Sequence, residues 1–271
     1  MYPFFNLFGR EIPMYGLMCV AAAFVSIGLA ALRAKKYGVD TRDVVYMCIF
    51  AVIGAIVGAK ALAVVTFLAQ AVYRWGEIAA AGLGFWDVIY GAFAGTGIVF
   101  FGGLIGGTLG ALVYLKMYKL SIPVFVDAAA PCIPVAHAIG RIGCFLAGCC
   151  YGAESRWGVE FVNSPVAPAN VRLLPVQLIE VDVNLMLAAV ILIYEICRRP
   201  ESGGKGRNLF LYLLLYSVSR FTLEFFRGDA ARGIYFGIST SQIISVVIFV
   251  AAICLFLFYN GDKEKNYGRQ I

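Results

Sequence analysis

Apolar stretches long enough to cross a bilayer recur along this chain with only short polar gaps, and they constrain its fold more than any motif does. Windows at 14–32, 44–68, 91–115, 124–146, 176–196, 209–226 and 239–259 are dominated by Leu, Ile, Val, Ala, Gly and Phe. A hydrocarbon core about 30 Å thick needs ~20 such residues per helical span, so about seven transmembrane helices are expected. Composition agrees: 61% of the 271 residues are apolar and 14% are charged, against roughly 25% charged in a soluble domain. Mean hydropathy is +0.84. These values exclude a soluble domain and predict an all-α integral membrane protein, one polytopic domain over 1–271 with no linker and no long-period repeat. The first apolar stretch lacks a basic region and a small-residue cleavage site, so it is expected to be retained as a span.

The net charge of +6 is a topological signal, and nucleic acid is not an expected partner. Thirteen Lys and Arg fall in four segments: Arg33 to Arg42, Lys116 and Lys119, Arg198 to Arg207, and the tail after Tyr259. Six fall in the alternating ones: Arg10, Arg74, Arg156, Arg172, Arg227 and Arg232. Basic residues favour cytoplasmic segments, which places the N-terminus outside and the C-terminus in the cytoplasm. Two outward segments are long enough for a small head region. One is 148–175, with three prolines; the other is 72–90, where Trp75, Phe85 and Trp86 suit the membrane interface.

Lys60, Arg141 and Arg220 remain inside spans. An ionisable group there costs ~2.5–3.5 kcal/mol on insertion scales and marks function by default. Tyr216, Arg220 and Glu224 recur at i, i+4, i+8 and share a helical face. A neutralising Arg220–Glu224 pair with Arg141 reaching outward is the bland alternative. Both arginine-bearing spans should end at the outer face, however, where two planar guanidiniums can clamp a phosphate bidentately. The implied ligand is an anionic phospholipid head group. For Lys60 the sequence leaves snorkelling and pairing open.

Gly102, Gly106 and Gly110, with Gly103 and Gly107 beside them, form a small-residue stripe that helix packing explains; Gly54 and Gly58 read the same way. Around Arg141, glycines at 140, 143, 148 and 152 leave room for backbone or lipid to approach closely. His137, Cys144, Cys149 and Cys150 match no structural zinc spacing, and the adjacent cysteines make an awkward ligand pair. No metal and no cofactor are expected; most of the eight cysteines read as small packing residues. His137 lies four residues before Arg141. A neighbouring cation would keep its imidazole neutral and available as a base, whereas a lone buried His is more often a hydrogen-bonded core residue.

Several ordered segments resemble the bacterial prolipoprotein diacylglyceryl transferases. They are Met14-Tyr15-Gly16-Leu17-Met18, Phe101-Gly102-Gly103-Leu104-Ile105-Gly106, and Gly140-Arg141-Ile142-Gly143-Cys144-Phe145 followed by Gly148 and Gly152. Further along stand Pro175-Val176-Gln177-Leu178-Ile179-Glu180, Arg220-Phe221-Thr222-Leu223-Glu224 through Arg227 and Asp229, and Ser239 to Ile243. The resemblance implies seven spans and a bacterial cell membrane. It also implies transfer of a diacylglyceryl group from phosphatidylglycerol to the lipobox cysteine of a prolipoprotein, with glycerol phosphate leaving. That chemistry needs a phosphate clamp, a base for the thiol and a lateral opening for lipid. On this reading Arg141, Arg220, Glu224 and His137 carry catalysis, while Tyr15, Gly102, Gly103, Gly148, Gly152, Tyr216 and Arg227 hold lipid. The sequence departs from the family at Phe101, which stands where the family has His. It departs again at Cys144 and Ala147, which replace Asn, and at Cys149, which replaces an acid. Cys144 or Cys149 as a thiolate relay is one substitute for the base. A transferase acting on another acceptor, and a lipid-binding or lipid-moving protein without catalysis, are the alternatives.

Overall fold

The computed structural model describes residues 1–97, 99–197, 206–229, 234, 235 and 238–267. Arg198, Arg199, Lys205, Arg232 and Arg269 of the charge argument lie outside these residues. Five helices are long and apolar enough to cross a membrane: α1 (Met14–Ala34), α2 (Thr41–Tyr73), α5 (Phe100–Met117), α8 (Val176–Cys197) and α9 (Arg207–Leu223). A sixth is counted if α6 (Ile122–Ala129) and α7 (Cys132–Ala147) form one span bent by 42°. Helix α10 (Thr240–Tyr267) contributes a shorter apolar stretch, Thr240–Cys254. The protein is therefore mostly helical and multi-pass, with five to six spans by length and composition among the described residues.

Two windows differ from expectation. The third is expected at 91–115, but 91–95 form a π turn and α5 begins at Phe100; the glycine-rich run 91–97 forms no straight helix. The fourth, at 124–146, is broken at Ala130–Pro131, where proline supplies no N–H for the helical ladder. The 72–90 segment forms two short helices, α3 (Trp75–Ala80) and α4 (Phe85–Tyr90). The 148–175 segment holds a small antiparallel pair, β3 (Glu154–Glu160) with β4 (Arg172–Leu173). An N-terminal hairpin, β1 (Phe4–Leu7) with β2 (Arg10–Pro13), was not anticipated. A further pair, β5 (Ile234–Tyr235) with β6 (Ile238–Ser239), precedes α10.

The residues group into two compact units, 39–122 and the remainder. In the first, α2 packs along α5 through glycines. A Cβ at Gly106 would collide with the Gly54 carbonyl, and one at Gly102 or Gly110 with the carbonyls of Gly58 or Phe50. The stripe read as helix packing is that seam. Lys60 pairs rather than snorkels: its Nζ donates to the Thr96 carbonyl at 2.7 Å and to Thr96 Oγ1 at 3.1 Å.

In the second unit α1 packs on α7, α7 on α8, α8 on α9 and α9 on α10. One end is tied by Arg33, which donates to Glu195 at 2.7 Å and to the Ala128 carbonyl at 2.9 Å. Tyr37 donates to the same carboxylate at 2.5 Å and accepts from Asn208 at 2.7 Å. At the other end α10 starts with a capping box: Gln242 N–H donates to Ser239 Oγ at 3.2 Å, and Ser239 N–H to Gln242 Oε1 at 2.9 Å. The reciprocal bonds satisfy donors that a helix start leaves unpaired and fix Ser241 at the bundle end.

Candidate active site

The C-terminal parts of α7 and α9 meet the N-terminal parts of α8 and α10, and four charged side chains are buried between them. Arg141 of α7 pairs with Glu180 of α8. Arg220 of α9 pairs with Glu224, one turn on, at 2.8 Å and reaches Glu180 at 3.6 Å. Its other terminal nitrogen donates to Ser241 Oγ at 2.9 Å. Side-chain exposures of 12% for Arg141, 11% for Arg220, 3% for Glu180 and 2% for Glu224 put the group largely out of solvent. Buried charges persist only when paired and hydrogen-bonded. Here one carboxylate joins both guanidiniums and a second holds Arg220 from its own helix.

Glu180 closes the Pro175–Glu180 segment, and the sequence alone assigns it no role. The signal was available: a carboxylate in the first turns of an apolar span needs a cation. Pairing Glu180 with Arg141 rather than with a solvent ion requires tertiary structure, since the two are 39 positions apart. Gln177 and Asn184, on the same helix, were also missed. Gln177 Nε2 donates to the Cys149 carbonyl at 2.8 Å, while its Oε1 is buried with no donor among the described residues. Asn184 Nδ2 donates to the Glu180 carbonyl at 2.7 Å.

His137 is one turn before Arg141 and in contact with it. Nε2 of His137 accepts from Arg141 Nε at 3.3 Å, so the lone pair a base would use faces a guanidinium. The imidazole helps aim Arg141, and its other side meets the Tyr216 ring with centroids 5.5 Å apart. Tyr216 in turn stacks on Tyr212 at 5.5 Å. Tyr15 on α1 packs over Gly143.

The glycines divide by location. Space beside Gly148 and Gly152 is taken by the protein itself, by Ser164 in one case and by Leu174 and Val176 in the other. At both positions the close approach is by the protein's own backbone and side chains. A Cβ at Gly140 would meet nothing within 4 Å. Gly102 and Gly103 belong to the α2–α5 seam, where Phe101, 42% exposed, lies edge-on to Phe100. Arg227 is drawn into an ion pair with Asp229 at 2.7 Å. Burial disfavours its charge, yet the carboxylate holds its pKa above the usual arginine value. Its backbone bridges to Gly152.

Cys150 has φ 61°, which turns the chain so that the sulfurs of Cys144, Cys149 and Cys150 all lie within 4.8 Å of one another.

A sequence model described as prolipoprotein diacylglyceryl transferase matches residues 3–258. This chain belongs to that family. A phosphatidylglycerol–prolipoprotein diacylglyceryl transferase from Clostridium tetani is 36% identical over 97% of this chain and 98% of its own length. Proteins of the same description are 33% identical from Clostridium perfringens and 30% identical from Campylobacter curvus, covering 96% and 97% of this chain and 95% and 94% of their own. Within the diacylglyceryl transferase family frame, Arg141, Glu180, Arg220 and Glu224 are the charged centre of this chain's bundle.

Proposed function

We propose that the protein transfers a diacylglyceryl group from phosphatidylglycerol to the thiol of a prolipoprotein lipobox cysteine. The observation that carries this reading is the pair of buried guanidiniums, Arg141 and Arg220, held in register by Glu180 between them. A phosphodiester entering here meets preorganised donors, and positioned donors stabilise developing charge without reorganising during the reaction. Glycerol phosphate is the leaving group. As the thiolate sulfur bonds to the glyceryl carbon, the C–O bond breaks and its electrons pass to a phosphate oxygen between the arginines. Glu180 and Glu224 position those arginines, and Tyr216 and Tyr15 wall the site. Gln177 Oε1 suits a hydroxyl of the glycerol head group, which supplies the donor this buried acceptor lacks. The open side of α7 at Gly140 suits lateral entry of lipid.

In this reading the bundle has seven spans, the α6–α7 pair counting as one and α10 as the last. The N-terminus is outside the bacterial cell membrane, the C-terminus is cytoplasmic, and the arginine end faces outward with the β3–β4 loop. The test is full-length protein in phosphatidylglycerol vesicles with a lipobox peptide. Glycerol phosphate should appear in step with a peptide mass gain of one diacylglyceryl group, and phosphatidylcholine vesicles should yield neither. Phosphatidylglycerol bound without transfer would make the protein a lipid-binding relative.

A further inference from the structure

The end of α7 gathers three thiols by a specific backbone device. Gly148 N–H donates to the Phe145 carbonyl and Cys149 N–H to the Cys144 carbonyl, both at 3.1 Å, with Gly148 at φ 70°. This is a Schellman turn, and it folds Cys149 back toward Cys144. Cys150 then takes φ 61°, a left-handed conformation that is strained for a side-chain-bearing residue and persists only when its surroundings impose it. The loop is braced from three sides. Ser164 Oγ donates to the Gly148 carbonyl at 3.0 Å, Gln177 to the Cys149 carbonyl at 2.8 Å, and Gly152 N–H to the Leu174 carbonyl at 2.8 Å. All three cysteines are free; Cys144 is buried, and Cys149 and Cys150 are partly exposed.

We propose that Cys144, Cys149 and Cys150 form a zinc site with an open fourth position, which receives the acceptor thiol; this rests on the thiol-transfer reading above. Thiolate donors select zinc or copper(I) among biological metals. Zn–S bonds of ~2.3 Å set sulfurs about 3.8 Å apart in a tetrahedron. Three sulfurs already within 4.8 Å of one another need only a small inward adjustment. Three protein ligands with one position left over is the pattern of zinc sites that do chemistry. Such a site answers a need the side chains leave unmet, because the lone pair of His137 faces Arg141 and Phe101 takes no proton. A thiol that coordinates the metal is deprotonated outright, with its proton passing to water. The bound sulfur then attacks the glyceryl carbon and the C–O bond to phosphate breaks. The product thioether, a poor ligand, leaves the zinc. Cys144 lies three residues after Arg141, on the same face of α7, which places nucleophile and phosphate clamp side by side.

Metal content and cobalt spectroscopy of the full-length protein in detergent test this. Zinc should copurify at about one ion per chain. Cobalt(II) exchanged into the site should show sulfur-to-metal charge-transfer absorption that Cys149→Ser and Cys150→Ser each abolish. A lipobox peptide thiol should shift the cobalt ligand-field bands, and the same peptide with serine for cysteine should not. Stripping zinc should lower glycerol phosphate release at least a hundredfold, and zinc should restore it. Protein that takes up neither zinc nor cobalt, a disulfide among the three cysteines on isolation, or bands indifferent to the thiol would each overturn the site. Full transfer by metal-free protein would overturn it while leaving the transferase reading intact. Zinc bound with no release of glycerol phosphate from any lipid would instead overturn the transferase reading.

Discussion

Glu180 sits where two guanidiniums would otherwise face each other, and removing its charge leaves Arg141 with no carboxylate among the pairs observed. Breaking a buried ion pair by deleting one partner costs about 3–5 kcal/mol. Glu180→Gln is therefore expected to lower the thermal unfolding midpoint in detergent and to depress transfer. An unchanged midpoint would show that solvent already screens the pair. Arg141→Lys and Arg220→Lys keep charge but lose the planar fork. Each should reduce glycerol phosphate release at least tenfold, about 1.4 kcal/mol; an unaltered rate in Arg220→Lys would leave that residue a structural role. For His137, two substitutions separate positioning from proton transfer. A general base is worth roughly 10²–10⁴-fold, and neither Ala nor Gln can replace one. Gln, however, can accept the Arg141 hydrogen bond. His137→Ala should lose turnover while His137→Gln stays within about tenfold of the parent. Equal, hundredfold losses in both would restore the imidazole as base.

At the scale of helices, much was legible because its causes are local. Span length, the 102–106–110 glycine spacing, and the Arg220–Glu224 pair at i, i+4 each depend on periodicity within one helix. What the sequence hid depends on distant partners or on backbone turns. Glu180 acquires its role from another helix. The cysteines converge because Gly148 and Cys150, just after α7, both take left-handed conformations, which spacing alone does not reveal. The start of α5 was read nine residues early, since apolar composition does not separate an unwound glycine-rich run from a helix. The α2–α5 seam gives a sharp element-level expectation. A Cβ at Gly106 falls against the Gly54 carbonyl, whereas one at Gly28 meets nothing within 4 Å. Overpacking a tight interface costs typically 1–3 kcal/mol. Gly106→Ala should destabilise the protein by about that much in a detergent unfolding titration, with Gly28→Ala near neutral. Equal stability of the two variants would mean that the helices separate without penalty.

For the whole molecule, the expected orientation is checked by labelling introduced cysteines in a background without native ones. A membrane-impermeant maleimide should reach a thiol at Arg172 from outside intact cells and fail to reach one at Lys119. Labelling of position 119 would reverse the topology and carry the arginine end to the cytoplasm. Arg141, Arg220, Glu180 and Glu224 add two formal positive and two formal negative charges within one cluster. An electric field across the membrane does ~2.3 kcal/mol of work on each unbalanced charge per 100 mV, but almost none on a neutral quartet. The resting site is therefore insulated from cellular energisation. An arriving phosphodiester brings an unbalanced charge and departing glycerol phosphate carries one away, so lipid capture and product release are steps to which membrane voltage couples.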